Sequence, residues 1–231
     1  MSMNKITKEV VLEKLRLHGN SAALPQLICF GINPATALCV RIPILRKFAH
    51  EIGKNHDLAQ QLWQTNIHEA RILAGMIDDY TLVTEQQMEF WVCDFNSWDV
   101  CDQVCSNLFD KTKFAYQKAH EWTLRDEEFV KRAGFVLMAC LAVHDKHAHD
   151  QKFVTFFPLI KKESVDERNF VKKAVNWALR QIGKRNLVLN QAAINLADEI
   201  KIIDHKTARW IANDALRELQ KPKPYIQKRL R

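Results

Sequence analysis

The chain has 231 residues, of which 47% are hydrophobic and 26% charged, and its formal net charge is +7. That length can bury a full-sized core, and only 6 Gly and 6 Pro argue against a turn-rich β protein. No segment approaches the uninterrupted apolar length of a membrane span, and the N-terminal MSMNKITKEVVLEKLRLHG mixes charges into its apolar positions, unlike a secretory signal.

Apolar residues recur at helical spacing almost throughout. The pattern predicts helices over 5–18, 21–30, 43–53, 57–64, 67–78, 84–94, 97–109, 112–123, 126–143, 149–160, 166–182, 187–201 and 205–220. Start signals support several of these: Thr84 precedes Gln87 by three residues, Ser97 precedes an apolar run, and Ser164 precedes Glu167. The links are short, so successive helices should be antiparallel neighbours. Thirteen such helices suit an all-α, curved superhelix of stacked helical pairs better than a four-helix bundle. EFWVCDFNSWD, AHEWTLRDEEFVKR and DERNFVKKAVNWALR recur at roughly the interval of one such pair. A single domain over 1–231 is expected, with a basic, mobile tail over 221–231 after the last helix.

The charge is unevenly placed. Residues 1–120 hold 12 Lys/Arg against 13 Asp/Glu, whereas residues 121–231 hold 22 against 14. The whole excess lies in the C-terminal half, which points to a polyanionic partner. The six cysteines show no framework spacing and mostly sit in apolar runs, as in a reducing cytoplasm. Cys101 and Cys105 fall on an apolar helical arc and read as core. The His144–Asp150 tract interrupts two helices without ligand spacing, so it reads as a solvated loop and no metal or other cofactor is expected.

Three stretches break their own burial pattern. In Asn96-Ser97-Trp98-Asp99-Val100-Cys101-Asp102, Trp98 and Asp102 stand one turn apart at the border of the apolar arc. Asp99 suits a helix N-terminus, but Asp102 lies too far in to be explained by capping. In the helix that follows Phe129, Arg132 enters an otherwise apolar run, where a cation is costly unless a carboxylate or phosphate meets it. Gly134 in the same helix implies close approach of another backbone, from a neighbouring helix or a ligand. In Asn169–Asn186, Trp177 falls at the edge of an arc of Lys172, Lys173, Arg180 and Lys184, with Arg185 following. Packing at the core edge and contact with phosphates and sugars are both open for this tryptophan.

The runs FNSWDVCDQVC, EFVKRAGFVLMACLAVHDK, DERNFVKKAVNWALRQIGKRN and ARWIANDALREL, with VRIPILRKFAHEIGK and LAQQLWQTNIHEARILAGMIDD upstream, resemble the AlkD-type DNA alkylation repair proteins over nearly the whole chain. The resemblance implies a curved array of HEAT-like helical pairs and a DNA glycosylase that removes N3- and N7-alkylated purines. It implies a catalytic carboxylate at Asp102, a neighbouring tryptophan at Trp98, an arginine at Arg132 and a second tryptophan at Trp177, facing a concave basic groove. Lys131, adjacent to Arg132, is the other candidate for that cation. Lys131, Lys172, Lys173, Arg180, Lys184 and Arg185 are the expected DNA-binding residues. The implied partner is double-stranded DNA carrying alkylated bases, bound by a monomer with no membrane association. The family often carries glycine where this chain has Cys39. It also includes relatives that bind DNA without glycosylase activity, so a non-catalytic binder of damaged or branched DNA is the alternative, and a protein-interaction scaffold comes third.

Overall fold

The structure is a computed structural model that describes residues 6–221. Most of the tail expected over 221–231 lies outside the described residues. Among those described there are fourteen α-helices, three short 3-10 turns and no strand, so the all-helical expectation holds. The fold is HEAT-like, built from paired helices. The chain divides between Thr112 and Lys113 into two compact units.

The first unit contains α1 (Lys8–Leu17), α2 (Leu24–Cys29), α3 (Ile42–Ile52), α4 (His56–Trp63), α5 (His68–Ile77), α6 (Glu85–Cys93) and α7 (Trp98–Asn107). α5 packs on α4, its partner in sequence, and on α3 and α7 to either side. Local chemistry sets the starts. Asn55 caps α4 by accepting from the Leu58 amide at 3.0 Å, and Thr84 caps α6 by accepting from the Gln87 amide at 3.1 Å. Behind the helices, Trp63 and Trp91 stack at 3.9 Å between centroids, with Phe95 and Phe109 beside them. Arg71 lies over the Trp63 ring and donates to both the carboxylate and the carbonyl of Asp94, so this buried cation is paired.

The second unit contains α8 (Ala115–Trp122), α9 (Glu128–His144), α10 (Asp150–Val154), α11 (Phe157–Lys162), α12 (Asn169–Gly183), α13 (Leu187–Lys201) and α14 (Lys206–Leu219). α12 packs against α9, α13 and α14. Contacts along this layer keep one register. Arg132 reaches Phe170, Asn176 reaches Asp214 and Arg180 reaches Glu218, each across 38 residues. A constant offset means that α12 and α14 run parallel, each returned by an antiparallel partner, as repeated helical pairs require.

Gly134 answers to a neighbouring helix. A Cβ there would lie 2.7 Å from Thr123 Cγ2 and 2.8 Å from the Thr123 amide nitrogen, so α9 rests directly on the end of α8. Two expectations need correction. The helix expected over 149–160 is two helices, because Pro158 stands in the first turn of α11 and cannot continue α10. Ser164 starts no helix: it lies in a 3-10 turn and its hydroxyl donates back to the Lys161 carbonyl. α12 begins at Asn169 instead. Cys101 and Cys105 are fully buried, as core residues should be.

Candidate functional site

In the first unit the N-terminus of α7 is braced from several sides. Ser97 occupies the capping position, yet its hydroxyl turns to Asp99, whose carboxylate also accepts from the Val100 amide at 3.0 Å. The other Asp99 oxygen bonds Nε2 of the buried His68 at 2.8 Å. Burial is the largest influence on His68 and would lower its pKa. The hydrogen bond and charge of Asp99, with Glu69 behind them, outweigh burial and hold it above 6.5. Burial likewise opposes ionisation of Asp99, but the bonds from His68, Ser97 and Val100 bring its pKa below 3.8. Asp99 therefore does more than favour the helix dipole: it ties α7 to the first residue of α5.

Trp98 and Asp102 stand one turn apart on this braced helix, and both are only half-buried. The Trp98 indole N–H donates to the Phe30 carbonyl at 3.0 Å, which fixes the ring while leaving part of it accessible. The segment after Phe30 is held in turn by the buried Glu69, whose two oxygens accept from the Leu38 and Val40 amides at 2.8 and 3.2 Å. Between those amides Cys39 adopts a φ of 61°, the left-handed conformation that glycine favours. The paired amide bonds to Glu69 keep the turn with a cysteine in it. Beneath this segment is a cavity of about 580 Å³, floored by His68, Glu69, Ile72 and Asp99.

In the second unit Arg132 is buried, and its Nη1 donates to the Phe170 carbonyl at 2.6 Å, at the N-terminal end of α12. Lys131 is also buried, but its ammonium is matched inside the unit by Glu163 at 2.7 Å and Asp166 at 4.0 Å. Trp177 is half-buried on α12. With the Gln181 amide oriented to satisfy its neighbours, its oxygen accepts from Trp177 Nε1 at 2.9 Å and from Lys184 Nζ at 3.2 Å.

The expected cationic arc is only partly open. Arg185 is buried, donates to the Ala142 and Ala148 carbonyls at 3.1 and 2.9 Å, and covers the Phe153 ring. Lys131 and Arg185 thus belong to the interior of the unit, which corrects their expected placement on a DNA-facing surface. Arg180 and Lys184 share Glu218 at 2.6 and 2.8 Å. Lys173 is exposed, and Lys172 lies 5.5 Å over the ring of Trp210, which is itself 43% exposed.

The sequence reading missed His68 and Trp210. His68 carried no signal, because a single histidine in HEARILAGMI says nothing about a carboxylate 31 residues away. Trp210 had one: at the 38-residue interval it falls opposite Lys172 of the cationic arc.

The comparisons with known proteins agree with this architecture. A solved structure described as "a new family of proteins related to the HEAT-like repeat DNA glycosylases with affinity for branched DNA structures" matches with a TM-score of 0.77 and 19% identity, over 96% of this chain and 100% of that one. At that identity the likeness is one of fold. No curated protein matches the chain. The family model of the DNA alkylation repair enzymes matches residues 11–219. The chain belongs to the DNA alkylation repair enzyme family.

Proposed function

We propose that this protein is a DNA glycosylase that hydrolyses the N-glycosidic bond of N3- and N7-alkylated purines, acting as a monomer on duplex DNA without a cofactor. The observation that carries the reading is the pair on α7: a half-exposed tryptophan pinned through its N–H, one turn from a half-exposed aspartate, on a helix braced by His68 and Asp99. An N3- or N7-alkylated purine already carries positive charge, so it departs without a general acid. Its departure builds an oxocarbenium-like sugar. Asp102 would stabilise that cation and hold the attacking water, and Trp98 would share the developing charge through its ring face.

In the second unit, Trp177 would contact the deoxyribose, and Arg132 would hold a backbone phosphate. Lys131 is not given this role, because its ammonium is held by Glu163 and Asp166. Arg132 reaches the end of α12 that also carries Lys172 and Lys173, a grouping suited to phosphates. Arg180 and Lys184 would add to the same field.

A second reading, a binder of branched DNA without base excision, is favoured by the affinity for branched DNA of the structurally similar protein. The test is incubation with a duplex bearing N7-methylguanine, an undamaged duplex and a four-way junction, scored for free base, abasic sites and binding. Free N7-methylguanine from the first duplex alone supports the glycosylase. Tight junction binding with no base released supports the binder.

A further inference from the structure

We propose that Trp210 and Lys172 form a further DNA contact in the second unit, a clamp on the sugar–phosphate backbone beside the nucleotide at Trp177. The inference rests on DNA being the partner. Along the seam between α12 and α14, positions 210, 214 and 218 of α14 stand one turn apart on one face. Each meets α12 at the same 38-residue offset. At two levels a carboxylate closes the seam. Asp214 accepts from Asn176 at 2.6 Å, and Glu218 takes Arg180 and Lys184 at 2.6 and 2.8 Å. At the third level a tryptophan stands where the carboxylate would be. Lys172 lies 5.5 Å over its ring and has no carboxylate within ion-pair distance among the described residues. An indole shelters an ammonium without cancelling its charge, so Lys172 remains available to an anion, whereas Arg180 and Lys184 are balanced at Glu218.

The chemistry of the patch selects its occupant. Trp210 is 43% exposed. Near it stand Lys173, Lys206 and Arg209, all exposed. Glu167 pairs with Lys206 at 3.5 Å and lies 3.6 Å from His205, and Asp204 pairs with Arg209 at 2.9 Å. Counting Lys172, four cations face two carboxylates, so the surface around the ring is net positive. Phosphates answer that charge, and the deoxyribose between them offers an apolar face to the indole. Paired bases keep their faces within the stack, so a double strand presents sugar and phosphate to this ring and no base has to leave the helix. The patch is continuous with the proposed DNA face, because Lys172 and Lys173 lie about one turn along α12 from Trp177 and Trp210 stands on the next parallel helix. Trp210 is therefore a positioning residue: it holds the strand beside the reacting nucleotide and takes no part in the chemistry.

The test measures affinity for an undamaged duplex as salt is raised, using wild type, Trp210→Ala, Trp210→Phe and Lys172→Ala. Trp210 stands at the surface and phenylalanine keeps a ring there, so this variant preserves the fold. Trp210→Ala should weaken binding about ten-fold at every salt concentration, with the slope of log affinity against log salt unchanged, because a neutral ring releases no counterion. Trp210→Phe should recover most of that loss. Lys172→Ala should lower the slope by about 1. Trp210→Ala binding as tightly as wild type, or Trp210→Phe binding no better than Trp210→Ala, overturns the clamp and leaves the DNA reading standing. An unchanged slope in Lys172→Ala does the same. A wild type that binds no duplex overturns both.

Discussion

The two units divide charge and chemistry unequally. Residues 1–112 carry 10 Lys/Arg against 13 Asp/Glu, a net of −3, whereas residues 113–231 carry 24 against 14, a net of +10. The first unit spends its polar groups inward, on bracing the helix that bears Trp98 and Asp102 through His68, Asp99 and Glu69. The second buries Lys118, Lys131, Arg132 and Arg185, ties Arg180 and Lys184 to Glu218, and presents Lys172, Lys173 and the exposed Trp210 on α12 and α14. A net charge is therefore a poor guide to where a polyanion is gripped. What matters is which cations reach the surface, and on α12 Lys172 and Lys173 do.

The largest effect should come from Asp102→Asn in the first unit. It keeps the shape and removes the charge, so excision should fall by about 100-fold or more, while binding to undamaged duplex is kept. Kinetics on alkylated duplex, with binding measured in parallel, check this. Equal loss of both in a folded variant would show that the carboxylate serves the architecture.

Asp99→Ala should cost about 3 kcal/mol of stability, because it strands the buried His68 and frees the start of α7. The pair also makes stability depend on pH. The His68 contribution is complete below pH 6.5 and is lost as pH rises through its raised folded pKa. The Asp99 contribution is complete above pH 3.8 and is lost as pH falls through its lowered folded pKa. Wild type should therefore be less stable at pH 9 than at pH 6, and His68→Gln should flatten that difference in denaturant titrations. An unchanged profile in His68→Gln would remove the pair from the account.

In the second unit, Gly134→Ala should cost about 2 kcal/mol despite the better helix propensity of alanine, since the new Cβ meets the Thr123 backbone. Thermal unfolding measures it, and a neutral result would mean that α8 and α9 separate freely. The smallest effect is Lys173→Ala. It should lower the slope of log affinity against log salt by about 1, one phosphate contact, with excision at saturating protein unchanged.

Most of the helices were legible in the sequence because burial repeats at helical spacing, and Asp102 stood out because no cap explained it. Pro158 was equally legible as a breaker, yet apolar periodicity on both sides bridged it. What could not be read was how polar groups pair over distance. Nothing in the sequence places His68 beside Asp99, or Glu163 beside Lys131, so Asp99 looked like a simple cap and Lys131 like a surface cation. Arg185 misled for the same reason: it follows a cationic stripe, but the carbonyls that receive it come from Ala142 and Ala148. At Cys39 the departure from the resembled family's frequent glycine put the local turn in doubt, yet the turn forms with the cysteine at a left-handed φ.

The most direct test of the division between charge and chemistry is single-turnover excision on an N7-methylguanine duplex, followed with bound fraction as salt is raised. The account predicts that released base falls in step with binding, and that the rate per bound complex stays constant. A saturated complex that releases no base would contradict it.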